Sequence, residues 1–277
     1  MISGGPLTHI CEDRVSAKSM WQNIVQDFQC SQQQFINGSV ECLRSVKAEN
    51  LIESTFDKRH KTDVNIIKPF VIFGDEFLPK SPQQMLRSAD FKKNLNLLVG
   101  TTTDDGSDVL TLSVDPNKYS LTSPQNFTKT EVRVELKNLF KRFFPKISVS
   151  TEDVYKLYVS HISDTDLDLI RQSVGVALGD YIRTCPTILF AREVYANGDR
   201  DNTHVYQYLW SVKYDQSWHG PDHYTNVRFL FGAPFRYGSS NEALNEKTVS
   251  QKVIRVVAHF AKNGSVFLSS CSFFDQI

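Results

Sequence analysis

The stretch Asn94–Leu110, NLNLLVGTTTDDGSDVL, decides the fold. Its first part, Leu95–Thr101, is a short apolar run bounded by polar residues, the form of a strand buried on both faces. Its second part sets Asp104 and Asp105 beside the turn glycine Gly106. Locally two readings stand side by side. Asp-Gly is common turn chemistry, which makes the pair a solvated loop tip. Alternatively, the carboxylates sit just beyond the carboxyl end of a core strand, where open α/β sheets gather ligands and catalytic groups.

Outward from that strand the chain reads as mostly helical. On the N-terminal side, Asp13–Phe28 carries Trp21, Ile24, Val25 and Phe28 at helical spacing. Short helices are predicted at Val40–Val46, Ala48–Glu53 and Pro82–Ser88. On the C-terminal side, Asp115–Gln125 is a Pro/Asn/Ser loop, and Thr130–Phe144 is a helix stopped by Pro145. Glu152–His161, Thr165–Thr184 and Pro186–Tyr195 also have helical patterns, the last two meeting at Cys185-Pro186. Val205–Val212, VYQYLWSV, has strand composition. The final helix is predicted over Val249–Ala261, with Thr248 as N-cap, Gln251 at the capping-box position and Asn263-Gly264 as its stop. Few apolar strands separated by many helices predict an α/β protein with a buried, largely parallel sheet. So little sheet for so many helices predicts a part of a larger doubly wound domain.

Composition narrows the function classes. The 277 residues carry 31 basic and 31 acidic side chains, so no bulk charge favours nucleic acid or an anionic membrane. No segment approaches the run of about eighteen apolar residues that a membrane span needs. The start, MISGGPLTHICEDR, lacks the pattern of a secretory signal. The five cysteines form no C-x-x-C pair, which weakens zinc-ribbon and thioredoxin-like readings. N-x-[ST] sequons stand at Asn37, Asn126 and Asn263 and acquire meaning only in a secreted protein.

A second candidate joins the carboxylates: His223, in GPDHYTNVRFLFG, a loop after the second strand. A carboxylate after one strand and a later loop histidine, in that order, match the acid and base of an α/β-hydrolase triad. In a triad the carboxylate holds one imidazole nitrogen protonated, so that the other accepts the serine proton. The nucleophile is expected earlier, as G-x-S-x-G at a strand-to-helix elbow. The chain contains no such pattern, and no HGGG-type segment that would supply an oxyanion hole.

Together these residues resemble the type-B carboxylesterases, which include the cholinesterases, over nearly all of Ile2–Gly264. GDEFLPKSPQQMLRSADFKKNLNLLVGTTTDDGS is the most specific match, similar to a family block that ends in LLIGVTKDEGS. ISGGP at Ile2–Pro6 resembles the QSGSP segment that follows the nucleophilic serine. CLRSVKAENLI, GDYIRTCPTILFA, GPDHYTNVRFLFGAP and VIRVVAHFAKNG resemble later segments of the same fold. The resemblance implies the C-terminal half of an α/β-hydrolase fold, with residues 1–264 as the domain part and 265–277 as a divergent tail. It puts Asp105 on the catalytic acid, His223 on the catalytic histidine, and Ser3 on a serine that helps hold them.

Departures from the family pattern are specific. Asp105 stands where Glu is usual and is one methylene shorter. Tyr224 replaces the small residue after the histidine, and Ile10 replaces an acyl-pocket tryptophan. Asn226 and Arg228 replace acidic residues, and Val257 a tryptophan.

The resemblance further implies a Cys30–Cys42 disulfide, and for Cys185 a partner near the C-terminus, where Cys271 is the late candidate. It implies a secreted or extracellular, membrane-associated glycoprotein, and it allows a homodimer through C-terminal helices. The expected function is that of a partial serine esterase, supplying the triad acid and histidine without the nucleophile elbow and oxyanion hole. Such a chain alone is expected to be inactive. Its parent would act on a small-molecule carboxylic ester, with no cofactor, metal or nucleic acid. The alternative is a non-catalytic adhesion or binding relative of the esterases.

Overall fold

Residues 2–3, 11–12, 14–30, 36–56, 71–126, 128–143, 148–213, 217–237 and 242–266 are described by the computed structural model. Their strands are β1 (Ile2–Ser3), β2 (Cys11–Glu12), β3 (Val71–Ile72), β4 (Asn96–Thr102) and β5 (His204–Trp210). The N-terminal helices are α1 (Arg14–Asp27), α2 (Ile36–Arg44), α3 (Ala48–Phe56) and α4 (Pro82–Arg87). After β4 come α5 (Ser107–Val109), α6 (Lys129–Phe143), α7 (Thr151–Tyr158), α8 (Leu167–Gly179) and α9 (Cys185–Asn197). After β5 come α10 (Thr225–Leu230), α11 (Ala233–Tyr237) and α12 (Glu242–Asn263). The described residues fall into two units, one drawn from Met1–Pro6, Leu86–Lys137 and Ser150–Ile277, the other from Leu7–Met85 and Asn138–Val149.

In the first unit β1, β4 and β5 form a parallel sheet with β4 in the middle. Alternation along β4 sends its side chains to opposite faces. Leu97 and Val99 pack on Ala191 and Val194 of α9, while Leu98 packs on Phe260 of α12 and on Val266 beyond it. Each such side chain, fully buried, contributes about 1.5–3 kcal/mol. Helices therefore cover both faces of the sheet. This is the reason β4 reads as a continuous apolar run, and the predicted α/β class holds.

The second unit contains a parallel β2–β3 pair and the helices α1, α2 and α3. Val25, Cys30 and Leu43 form its buried cluster, joined by Trp21, Ile24, Phe28 and Leu51. The Cys30–Cys42 disulfide closes inside that cluster.

Two helix boundaries depart from the sequence reading. Helix α12 begins at Glu242, so Thr248 and Gln251 lie within it rather than at its start. The preceding EALNEK contains no residue that stops a helix, and a good cap candidate does not end one that is already formed. The C-terminal stop is as expected, with Gly264 at φ +67° and its N–H donating to the Phe260 carbonyl at 2.8 Å. The helical stretch predicted over Thr165–Thr184 begins at Leu167, capped by Asp166, and ends in a π-helical turn, Asp180–Thr184, that runs into α9. No helix among the described residues is long and apolar enough to cross a membrane.

Candidate active site

Two loops leave the carboxyl ends of β4 and β5 and stay joined beyond the sheet. The Thr103 N–H donates to the Trp210 carbonyl at 2.9 Å, and the Asp104 N–H to the Pro221 carbonyl at 3.2 Å. An isolated parallel bridge pairs Asp104 with Asp222. The turn after β4 is therefore not a solvated tip: Asp104 is 0% and Asp105 2% exposed.

This pairing brings Asp105 and His223 together. His223 Nδ1 lies 2.6 Å from Asp105 Oδ1, and the other carboxylate oxygen accepts the Thr102 N–H at 3.1 Å. A carboxylate opposite Nδ1 favours the tautomer with its proton there, which leaves Nε2 as the proton acceptor. Both side chains are largely buried, which strengthens their interaction by excluding water. Tyr224 follows at φ +71°, a left-handed conformation that is costly for an aromatic residue, and its ring stands T-shaped against the His223 ring.

Asp104 serves the backbone instead. One of its oxygens accepts the Ser107 N–H at 3.2 Å and the other the Gly220 N–H at 2.7 Å. Burial raises its carboxyl above the usual range, and hydrogen bonding from Ser107, side chain and backbone, and from the Gly220 N–H, together with the His219 charge, only partly offsets that. Asp104 thus ties the acid turn to the loop that carries His223.

A second histidine–carboxylate pair braces the same loop, one that sequence reasoning missed. His219 Nδ1 lies 2.9 Å from Asp222 Oδ2, and His219 Nε2 lies 2.9 Å from Thr111 Oγ1. Thr111 Oγ1 in turn donates to the Tyr119 carbonyl at 2.9 Å. Thr225 Oγ1 bonds the other Asp222 oxygen at 2.6 Å. Burial pulls the Asp222 carboxyl upward, but the hydrogen bonds from His219 and Thr225 outweigh it and hold the group below its usual range. The H-x-x-D spacing directly before His223 was the available signal.

Helix α8 reaches the acid turn through glycines. A Cβ on Gly106 would collide with the Gly175 carbonyl oxygen and the Gly179 nitrogen, and one on Gly179 would collide with the Asp105–Gly106 peptide. Only hydrogen at these positions lets helix and turn backbones touch. Four residues beyond Gly179, Arg183 donates to the Asp105 carbonyl at 2.6 Å and forks onto the Asp108 carboxylate at 2.6 and 3.1 Å. Arg183 and Asp108 were also missed; a lone cation inside the otherwise uncharged run YIRTCPTILFA was the signal.

Of the other sequence candidates, Ser3 lies in β1 opposite Gly100, and its side chain falls outside the described residues. Cys185 is a free, exposed thiol, whose ionisation is pushed up by burial and by the Asp180 charge. Cys271 and the Cys11 side chain fall outside the described residues. The Asn126 and Asn263 side chains are exposed, whereas that of Asn37, on α2, is not described.

Comparison with known proteins identifies the family. The Carboxylesterase family matches residues 1–266. Similar proteins include Acetylcholinesterase-1 of Trittame loki, 26% identical over 240 residues, which covers 84% of this chain and 41% of the relative. Acetylcholinesterase of Bungarus fasciatus is 27% identical over 234 residues, 82% of this chain and 36% of the relative. Acetylcholinesterase 4 of Caenorhabditis briggsae is 26% identical over 255 residues, 83% of this chain and 40% of the relative. The chain spans about two fifths of the length of these relatives. With its parallel sheet, its helix-covered faces and this match over residues 1–266, the chain belongs to the carboxylesterase family.

Proposed function

We propose that this chain supplies the acid, Asp105, and the base, His223, of a serine carboxylic-ester hydrolase of α/β-hydrolase fold, as the C-terminal part of that fold. The observation that carries the reading is the 2.6 Å bond between the two side chains at the ends of adjacent parallel strands. In the reaction His223 would take the proton of a serine hydroxyl as it attacks the ester carbonyl. It would then protonate the departing alcohol, and repeat the cycle with water on the acyl-enzyme. Asp105 would hold the imidazole and stabilise its protonated form. The nucleophile is not encoded in these 277 residues, which contain no G-x-S-x-G. The chain by itself is therefore expected to turn over no ester.

The test is a polypeptide in which a nucleophile-bearing half from a family member precedes residue 1. Ester turnover is expected, and His223→Ala is expected to lower it by about a thousandfold or more. Turnover unchanged by that substitution, or turnover by the 277-residue chain alone, would overturn the assignment.

One observation favours a second reading, a non-catalytic binding relative. Tyr224 is 68% exposed and packs on the base, where it restricts approach to His223. The two readings separate in the same fusion protein, because a binding relative gives no turnover even when an intact nucleophile is supplied. The Cys30–Cys42 disulfide and the exposed sequon asparagines, Asn126 and Asn263, support an extracellular location.

A further inference from the structure

The Asp105 carboxylate has a cationic neighbour that the acid–base reading does not use. Arg183 Nη1 stands 3.8 Å from Asp105 Oδ1, the same oxygen that faces His223 Nδ1 at 2.6 Å. The guanidinium is held by three hydrogen bonds, one to the Asp105 carbonyl and two to Asp108. The side chains of Arg183 and Asp108 are only 18% and 17% exposed, so water screens the group little. The spacing of Gly175, Gly179 and Arg183 places all three on one helical face, against the acid turn. Close approach of the two glycines is what carries the guanidinium to the carboxylate.

We propose that Arg183 is a positioning residue of the acid–base pair, which fixes the Asp105 main chain and sets by its charge how strongly Asp105 favours protonated His223. The physical argument is Coulombic. A carboxylate stabilises the imidazolium opposite it, and a cation beside the same oxygen weakens that stabilisation. Asp108 neutralises part of the Arg183 charge and so limits the effect. The other charged groups around the pair are engaged elsewhere: Asp104 with the Ser107 and Gly220 N–H groups, and Asp222 with His219 and Thr225. The catalytic consequence rests on the esterase reading, but the electrostatic claim concerns the two side chains themselves.

The experiment follows the Cε1 proton of His223 by NMR across pH in the 277-residue chain, with His223→Asn to assign the signal. In R183M the titration curve is expected to move to higher pH by about half a unit, because an opposite charge is left alone with the imidazole. In D108N it is expected to move to lower pH, because the arginine charge is no longer shared. In R183K it is expected to stay near wild type, although a lysine cannot reproduce the two-pronged bond. A purely structural role would move R183M and D108N in the same direction and would not be rescued by lysine, and either result overturns the proposal. An unmoved curve in D108N does so too. Where R183M fails to fold, D108N and R183K decide, since both keep the cation. The titration uses neither ester nor nucleophile, so loss of the esterase reading would leave its outcome standing, and the reverse also holds.

Discussion

Asp104 and Asp105 are neighbours in sequence with separate duties. Asp105 gives one oxygen to His223 and the other to the Thr102 N–H, while Asp104 gives both of its oxygens to backbone N–H groups. Asp105→Asn is therefore expected to cost the fusion esterase about three to four orders of magnitude in turnover, through the wrong imidazole tautomer. Asp104→Asn turns an amide NH2 toward one of two buried N–H donors. It is expected to lower unfolding free energy by about 1–3 kcal/mol in a denaturant melt, with far less effect on turnover. The opposite ranking in turnover would make Asp104 the acid. Turn chemistry alone could not divide the two carboxylates; the family resemblance put the acid at Asp105, while the backbone duty of Asp104 depends on its meeting the Gly220 N–H across the fold.

Among the elements, the loop between β5 and α10 carries the base and is braced on its own terms. Asp222 is held below the ordinary carboxyl value of 3.8 by His219 and Thr225, against the pull of burial. A carboxylate held low in the fold contributes stability that is complete above its unfolded range and is lost as pH falls through its folded value. Acid unfolding followed by circular dichroism is thus expected to be less steep below about pH 4 in Asp222→Asn than in wild type. An equal slope would remove Asp222 from the brace. Asp104 acts with the opposite sign: burial raises it, so stability is lost as pH rises upward from 3.8.

Elements with strong periodic patterns were legible in the sequence. The structure puts β4 at Asn96–Thr102, within one residue of the reading at each end, and α1 and α6 match as closely. What escaped was set by partners distant in the chain. The two-residue strands exist only through pairing, the π-helical turn at Asp180–Thr184 adjoins the Arg183 contact, and α10 and α11 are too short to show a period.

At the scale of the whole molecule, the chain combines a parallel sheet unit that carries the acid–base pair with a helical unit that carries the disulfide. Closing a loop of twelve residues' separation is worth about 3 kcal/mol in the chain-entropy account. Cys30→Ala with Cys42→Ala is expected to lose about that much in a denaturant melt under oxidising conditions. Wild type and variant melting alike would mean that the bridge adds nothing to the helical unit. The same compartment that keeps the bridge would glycosylate Asn126 and Asn263, and glycosidase treatment of secreted protein reads this as a fall in mass.

The sequence by itself determined the α/β class, the central strand, most helices and the two residues that the 2.6 Å bond joins. The class and the elements follow from local periodicity, and the two residues from the resemblance of their motif blocks to the esterase family. Only the tertiary structure decided that Asp104 anchors a loop, that His219 and Asp222 brace it, and that Arg183 shares the Asp105 oxygen facing His223. Each of these depends on burial and on contacts between segments far apart in the chain. A buried charge must find its partner wherever the fold places one.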